Sequence, residues 1–168
     1  MSVLTLVFLS FAGGVLQSSI PSSVWLGHAT FPFLLGLVLH EALLGRPRRL
    51  LATSLLTGLV ADAMTPVPLG YSAALYLFAG QAVYRIRDLV VARQWTTQSL
   101  LGGVAHLLCT AGCFVLLLIG DRPGLSGWSG AARALGALVT GAIAVPLAFH
   151  AVARTEQFLG HRPEREAT

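Results

Sequence analysis

Hydrophobic positions in this chain do not alternate with polar ones; they gather into six long runs divided by short polar gaps. The runs extend from Val3 to Ile20, Trp25 to Leu44, Leu50 to Thr65, Leu69 to Tyr84, Ser99 to Gly120 and Ala131 to Val152. At about 1.5 Å per helical residue, most can cross a hydrocarbon core of roughly 30 Å. The pattern therefore predicts an all-α, polytopic membrane protein with six transmembrane helices. The third and fourth runs are short and meet at Thr65-Pro66-Val67-Pro68-Leu69-Gly70. Two prolines and a glycine there end a helix, so these runs are expected to form a helical hairpin with a tight turn. The first run has no basic residue before it and no small-x-small cleavage pattern near Gln17 to Ser23. It is read as a helix rather than a secretory signal.

Charge gives the thread a direction. Arg46, Arg48 and Arg49 fall between runs two and three, Arg85, Arg87 and Arg93 between runs four and five, and Arg154, Arg162 and Arg165 after run six. The remaining two are Arg122, in the gap before run six, and Arg133, at the start of that run. Arginine-rich loops stay in the cytoplasm, so both termini are expected there; a five-helix count would split the basic loops between the two sides. Residues 1–155 then form one six-helix transmembrane domain, and 156–168 a short, charged cytoplasmic tail. Trp25, Trp128 and Trp95 fall where interfacial anchors belong.

Composition agrees. Apolar residues make up 55% of the 168 positions and charged residues 11%, against about 25% charged in soluble domains. The net charge of +4 comes from arginines dispersed among the gaps, not gathered into one basic face, so no nucleic-acid partner is implied. Cys109 and Cys113 lie inside an apolar run, which argues against a disulfide framework.

Few residues are placed for chemistry. His40-Glu41 begins like a zinc-protease motif, but Ala42, Leu43 and Leu44 follow, so the second histidine is absent. The pair is expected at the cytoplasmic interface beside the basic loop. His106, Cys109 and Cys113 share one helical stripe; three soft ligands without a partner cluster read as packing, with His106 bonded across a helix interface. No catalytic set, metal site or cofactor site is expected. In run six, Ala132, Gly136, Thr140, Ala144 and Ala148 recur every four residues, a small-residue ridge of the kind that lets helices approach closely in lipid.

Asp62 is the most informative single residue. It lies about 18 Å along the third run from Leu50, on one stripe with Ser54 and Gly58. An ionisable group inside a membrane is costly unless it faces the bundle and finds a partner. The alternative is a helix that ends early and leaves Asp62 in the outer interface. Asn at this position is expected to keep most of the bonding capacity, and Leu to remove it.

At these residues the chain resembles the MreD family of rod shape-determining proteins. Gly58-Leu59-Val60-Ala61-Asp62, followed by the turn and Leu69-Gly70, is similar to that family's G-L-x-x-D…L-G core. The Pro32-initiated second helix, the basic break at Arg46 to Arg49 and the length fit the same pattern, whereas Phe33 stands where members often carry a polar residue. The resemblance implies a non-enzymatic scaffold of the bacterial inner membrane within the cell-elongation complex. Its implied partners are an MreC-like bitopic protein, RodA and a class B penicillin-binding protein, with MreB filaments reached through the complex and lipid all around. A homodimer is compatible with it. Asp62, Gly58, Ser54, Gly70, Gly136 and Thr140 are the expected partner-binding or packing residues. The implied fold is similar to the substrate-binding subunits of energy-coupling-factor vitamin transporters. That similarity supplies the rival function, a vitamin-binding subunit whose pocket would use Trp25, His28, Tyr71 and Tyr76.

Overall fold

A short apolar helix stands at the centre of the fold. Helix α2 (Phe33–Leu43) starts after Pro32, whose ring cannot continue a helix backwards, and packs against all five other α-helices. Leu34, Leu35, Val38 and Leu39 are fully buried. Around α2 stand α1 (Val3–Ser19), α3 (Pro47–Met64), α4 (Tyr71–Ile86), α5 (Trp95–Ile119) and α6 (Gly127–Phe158), with a 3-10 turn at Arg87–Leu89. This computed structural model describes residues 3–19, 30–65, 68–89, 94–119 and 127–158. Among them there is no strand.

Helices α5 and α6 are long and apolar enough to cross a membrane. Only 28% of the most apolar stretch of α5 is buried inside the fold, so most of it faces outward. Large apolar side chains stand outward on every face: Phe8 and Phe11 on α1, Leu55 on α3, Phe78 on α4, Leu108 on α5 and Leu135 on α6. Several hydroxyls, by contrast, point inward. Ser10, Ser54, Thr57 and Thr140 are buried and donate to carbonyls one turn back, at 2.7, 2.7, 2.6 and 2.8 Å. Such back-bonding satisfies a hydroxyl without water.

Some expected boundaries move. The second run was expected from Trp25, but α2 begins at Phe33 and spans about 16 Å, too short by itself to cross a core. Helices α3, α5 and α6 each begin three or four residues earlier than their apolar runs, because Pro47, Trp95 and Gly127 are compatible with a first helical turn. Helix α6 continues to Phe158, into what the sequence suggested was tail.

The basic ends of several helices meet. Gly45, in the turn between α2 and α3, adopts a positive φ of 71° and packs against the Arg87 guanidinium at the end of α4; a Cβ there would lie 2.8 Å from Arg87 Nη1. Arg87 also lies 4.4 Å above the Tyr84 ring. Trp95, opening α5, packs on His150 near the end of α6.

Candidate functional site

The hairpin of α3 and α4 holds four of the expected site residues in one seam. Asp62 sits in the last turn of α3 and is 2% exposed. Its Oδ2 accepts the Gly70 N–H at 2.7 Å, and its Oδ1 accepts the Ser72 N–H at 2.9 Å. Gly70 is the residue before α4, and Ser72 lies in its first turn. A helix start leaves N–H groups without intrahelical partners and carries partial positive charge. Asp62 therefore caps the neighbouring helix, a role normally filled by a side chain of the helix's own first residues. Here the cap position is Gly70, which has no side chain to offer, and its φ of 99° turns the chain into α4.

One turn below Asp62, Gly58 lets the two backbones touch. A Cβ at Gly58 would lie 2.2 Å from Ala73 Cα and 2.6 Å from Ala73 N, which no rearrangement of side chains relieves. A turn further, buried Ser54 lines the same seam: a Cβ at Gly80 would be 3.4 Å from its hydroxyl oxygen. The stripe Ser54, Gly58, Asp62 thus faces α4 along its length, and Leu69-Gly70 closes it. Both carboxylate oxygens are engaged by backbone donors, so Asn would supply only one acceptor and turn an N–H against the other donor. The expectation that Asn preserves most of the bonding is corrected accordingly.

Gly136 and Thr140 belong to a different seam, between α5 and α6. Both are buried, and Thr140 Oγ1 donates to the Gly136 carbonyl at 2.8 Å. Across the seam His106 Nδ1 lies 2.9 Å from the Ala137 carbonyl. A carbonyl only accepts, so Nδ1 carries the proton. The tightest approach, however, is one the ridge did not single out. A Cβ on Gly102 would lie 2.5 Å from the Gly141 carbonyl oxygen, and one on Gly141 would lie 2.5 Å from the Gly102 oxygen. Likewise a Cβ on Gly36 of α2 would meet Ala148 Cβ at 2.5 Å. The available signal was the adjacent pair Gly102-Gly103 inside a helix, where glycine costs about 1 kcal/mol relative to Ala unless a close neighbour needs the space.

The other candidates separate. His106 faces α6, while Cys109 Sγ lies 3.9 Å from the Leu75 carbonyl of α4. Among the described residues no group of three or more His, Cys, Asp or Glu side chains is placed to hold a metal ion. Glu41, near the end of α2, is not on the surface: it is 2% exposed, beside a cavity of about 10 Å³ that Leu6, Thr53 and Val152 also line. His40 packs edge-on against Phe149. Of the residues suggested for a vitamin pocket, Tyr76 is buried in the core and Tyr71 half-buried, while Trp25 and His28 lie outside the described residues. Compared with known proteins, the chain matches no family model, no curated protein and no solved structure.

Proposed function

We propose that this protein is a multi-span, non-enzymatic scaffold of the bacterial inner membrane, of the MreD type, serving the cell-elongation complex. The observation that carries the reading is the use made of Ser54, Gly58, Asp62 and Gly70. The residues of the G-L-x-x-D…L-G resemblance form a packing and capping device, with the acid bonded at both oxygens. Such a device fixes the shape of a helical hairpin and gives the carboxylate a structural use. A rigid bundle with apolar flanks is what a lateral partner in a membrane needs.

The six-span thread with cytoplasmic termini is part of the same proposal. The apolar outer faces support lipid exposure. The packing of Arg87 on Gly45 supports placing the two basic connections on one side. The partners proposed are an MreC-like bitopic protein and, through it, RodA, a class B penicillin-binding protein and MreB filaments. Reporter fusions after Thr168 and between Arg46 and Arg49 should read cytoplasmic, and one near Ser126 exoplasmic. The deciding experiment is co-purification of the tagged full chain with the bitopic partner from detergent-solubilised native membranes, paired with rescue of rod shape in a depletion strain. Failure of both, with normal accumulation, would overturn the scaffold reading.

A further inference from the structure

The seam between α4 and α5 is closed at one end and open at the other. At the closed end a Cβ on Gly112 would lie 2.5 Å from Leu75 Cδ2, and Cys109 approaches the Leu75 carbonyl. From there to Ile86 the helices part and leave a mostly apolar-lined cleft of about 380 Å³. The small side chains of Ala79, Ala82 and Ala105 give it depth, and Phe78, 76% exposed, stands beside it. From Leu75 to Ile86 the helix rises about 16 Å, half of a roughly 30 Å hydrocarbon core.

That length selects the occupant. A partner's transmembrane helix would favour a seam open along the bundle, and contact at Leu75 and Gly112 closes this one after about 16 Å. The cleft instead has about the length of one leaflet. Its open end lies at the arginine-bearing end of α4: Arg85, exposed, precedes Ile86, and Arg87 follows it. Trp95, exposed at the start of α5, marks the same level. Arginine there favours a phosphate without a compensating cation. We infer that the cleft seats one acyl chain of an anionic phospholipid from the arginine-rich leaflet, with its headgroup phosphate against Arg85. This inference rests on the multi-span membrane reading above.

Native mass spectrometry of the full chain in mild detergent tests it, using phosphatidylglycerol and phosphatidylcholine with identical acyl chains. One phosphatidylglycerol should stay bound at collision energies that strip phosphatidylcholine. Arg85→Gln should reduce that preference about fivefold, the effect of one arginine near an anionic headgroup, and Arg48→Gln, on exposed α3 surface, should leave it unchanged. Ala82→Phe, a change at an exposed position that fills the cleft, should reduce retention of both lipids. Equal retention of the two lipids by the unmodified protein, equal effects of the two arginine substitutions, or no effect of Ala82→Phe would each overturn the site. A photo-crosslinker at position 82 that captures a protein in native membranes would replace the lipid with a partner helix and overturn it too. Extraction with alkaline carbonate separates the levels: release from the membrane would sink the membrane reading itself, whereas retention in the membrane confines any failure to this cleft.

Discussion

The α3–α4 hairpin and the α5–α6 pair are both antiparallel and both depend on glycines at points of contact, yet they are held in different ways. In the hairpin a side chain from one helix is bonded to the backbone start of the next, and the turn between them is short. Separation of the helices there would break two hydrogen bonds and uncover the N–H groups of α4. In the α5–α6 pair the helices are longer, and the glycine faces of Gly102 and Gly141 meet reciprocally. His106 Nδ1 lies within hydrogen-bond reach of both the Ala137 carbonyl, at 2.9 Å, and the Thr140 hydroxyl, at 3.3 Å, and much of the rest is dispersion spread over a long contact. The hairpin is therefore a locked joint and the pair a compliant one. A given overpacking should cost more in the first than in the second.

Gly58→Ala is the sharpest test of that difference. Its methyl would overlap Ala73 backbone atoms, and the Asp62 cap prevents the helices from easing apart. Overpacking in tight cores costs about 1–3 kcal/mol, occasionally more. We expect the upper end, above about 3 kcal/mol, seen as loss of accumulation and of a thermal unfolding transition in detergent. Normal accumulation of Gly58→Ala would mean that the hairpin is not locked.

Asp62→Leu comes next. It leaves the Gly70 and Ser72 N–H groups without their acceptors, and stranding a buried donor costs about 1–3 kcal/mol. A loss of about 3 kcal/mol is expected, with rounded cells and weak recovery of the bitopic partner in the complementation assay. Asp62→Asn should fall midway, since one acceptor remains. If Asn matched the parent in thermal stability and cell shape, the second oxygen would not be acting as a cap.

These two positions show what could be read in advance. The stripe of Ser54, Gly58 and Asp62 follows from helical period alone, and Pro66, Pro68 and Gly70 announce a turn. The partners of Asp62 were not legible, because they are backbone N–H groups, which every residue but proline carries. The ridge on α6 was legible as a packed face, since Gly136, Thr140, Ala144 and Ala148 are all buried, but not which neighbours it meets. Residues four apart advance about 40° around a helix, so Ala132 to Ala148 sweeps about 160° and cannot face one neighbour. Accordingly Ala132 is only half-buried, Thr140 meets His106 of α5, Ala148 meets Gly36 of α2, and the neighbouring row through Ala137 and Gly141 also meets α5. The burial of Glu41 was not legible, because a charged residue near a basic loop suggests a surface, whereas packing of α1, α3 and α6 around the end of α2 buries it. No local pattern carries that information.

In the compliant pair, Gly141→Ala is expected to cost about 2 kcal/mol, less than Gly58→Ala, because the two helices can separate by a few tenths of an ångström. The relevant control is Leu138→Ala: Leu138 is 41% exposed, so its side chain is less bound to the fold, and the change should be nearly silent. Thermal unfolding of both variants in the same detergent checks the order. If Gly141→Ala cost as much as Gly58→Ala, the distinction between locked and compliant joints would fail.

Gly70→Ala isolates the smallest contribution to the locked joint, the turn itself. No atom lies within 4 Å of where its Cβ would be, so there is no steric clash to confuse the result. What remains is the backbone conformation: at φ 99° a residue with a Cβ is strained, by about 1–2 kcal/mol in the left-handed region. The N–H of residue 70 still points at Asp62 if the turn is kept, so the cap opposes relaxation to a negative φ. We expect a loss of about 1 kcal/mol for Gly70→Ala on an otherwise intact hairpin. In a double-mutant cycle with Asp62→Leu, that penalty should shrink, because without the cap the turn is free to take another conformation. Simple additivity of the two substitutions would show that the turn holds its shape without the carboxylate, and the hairpin would then be locked by Gly58 packing alone.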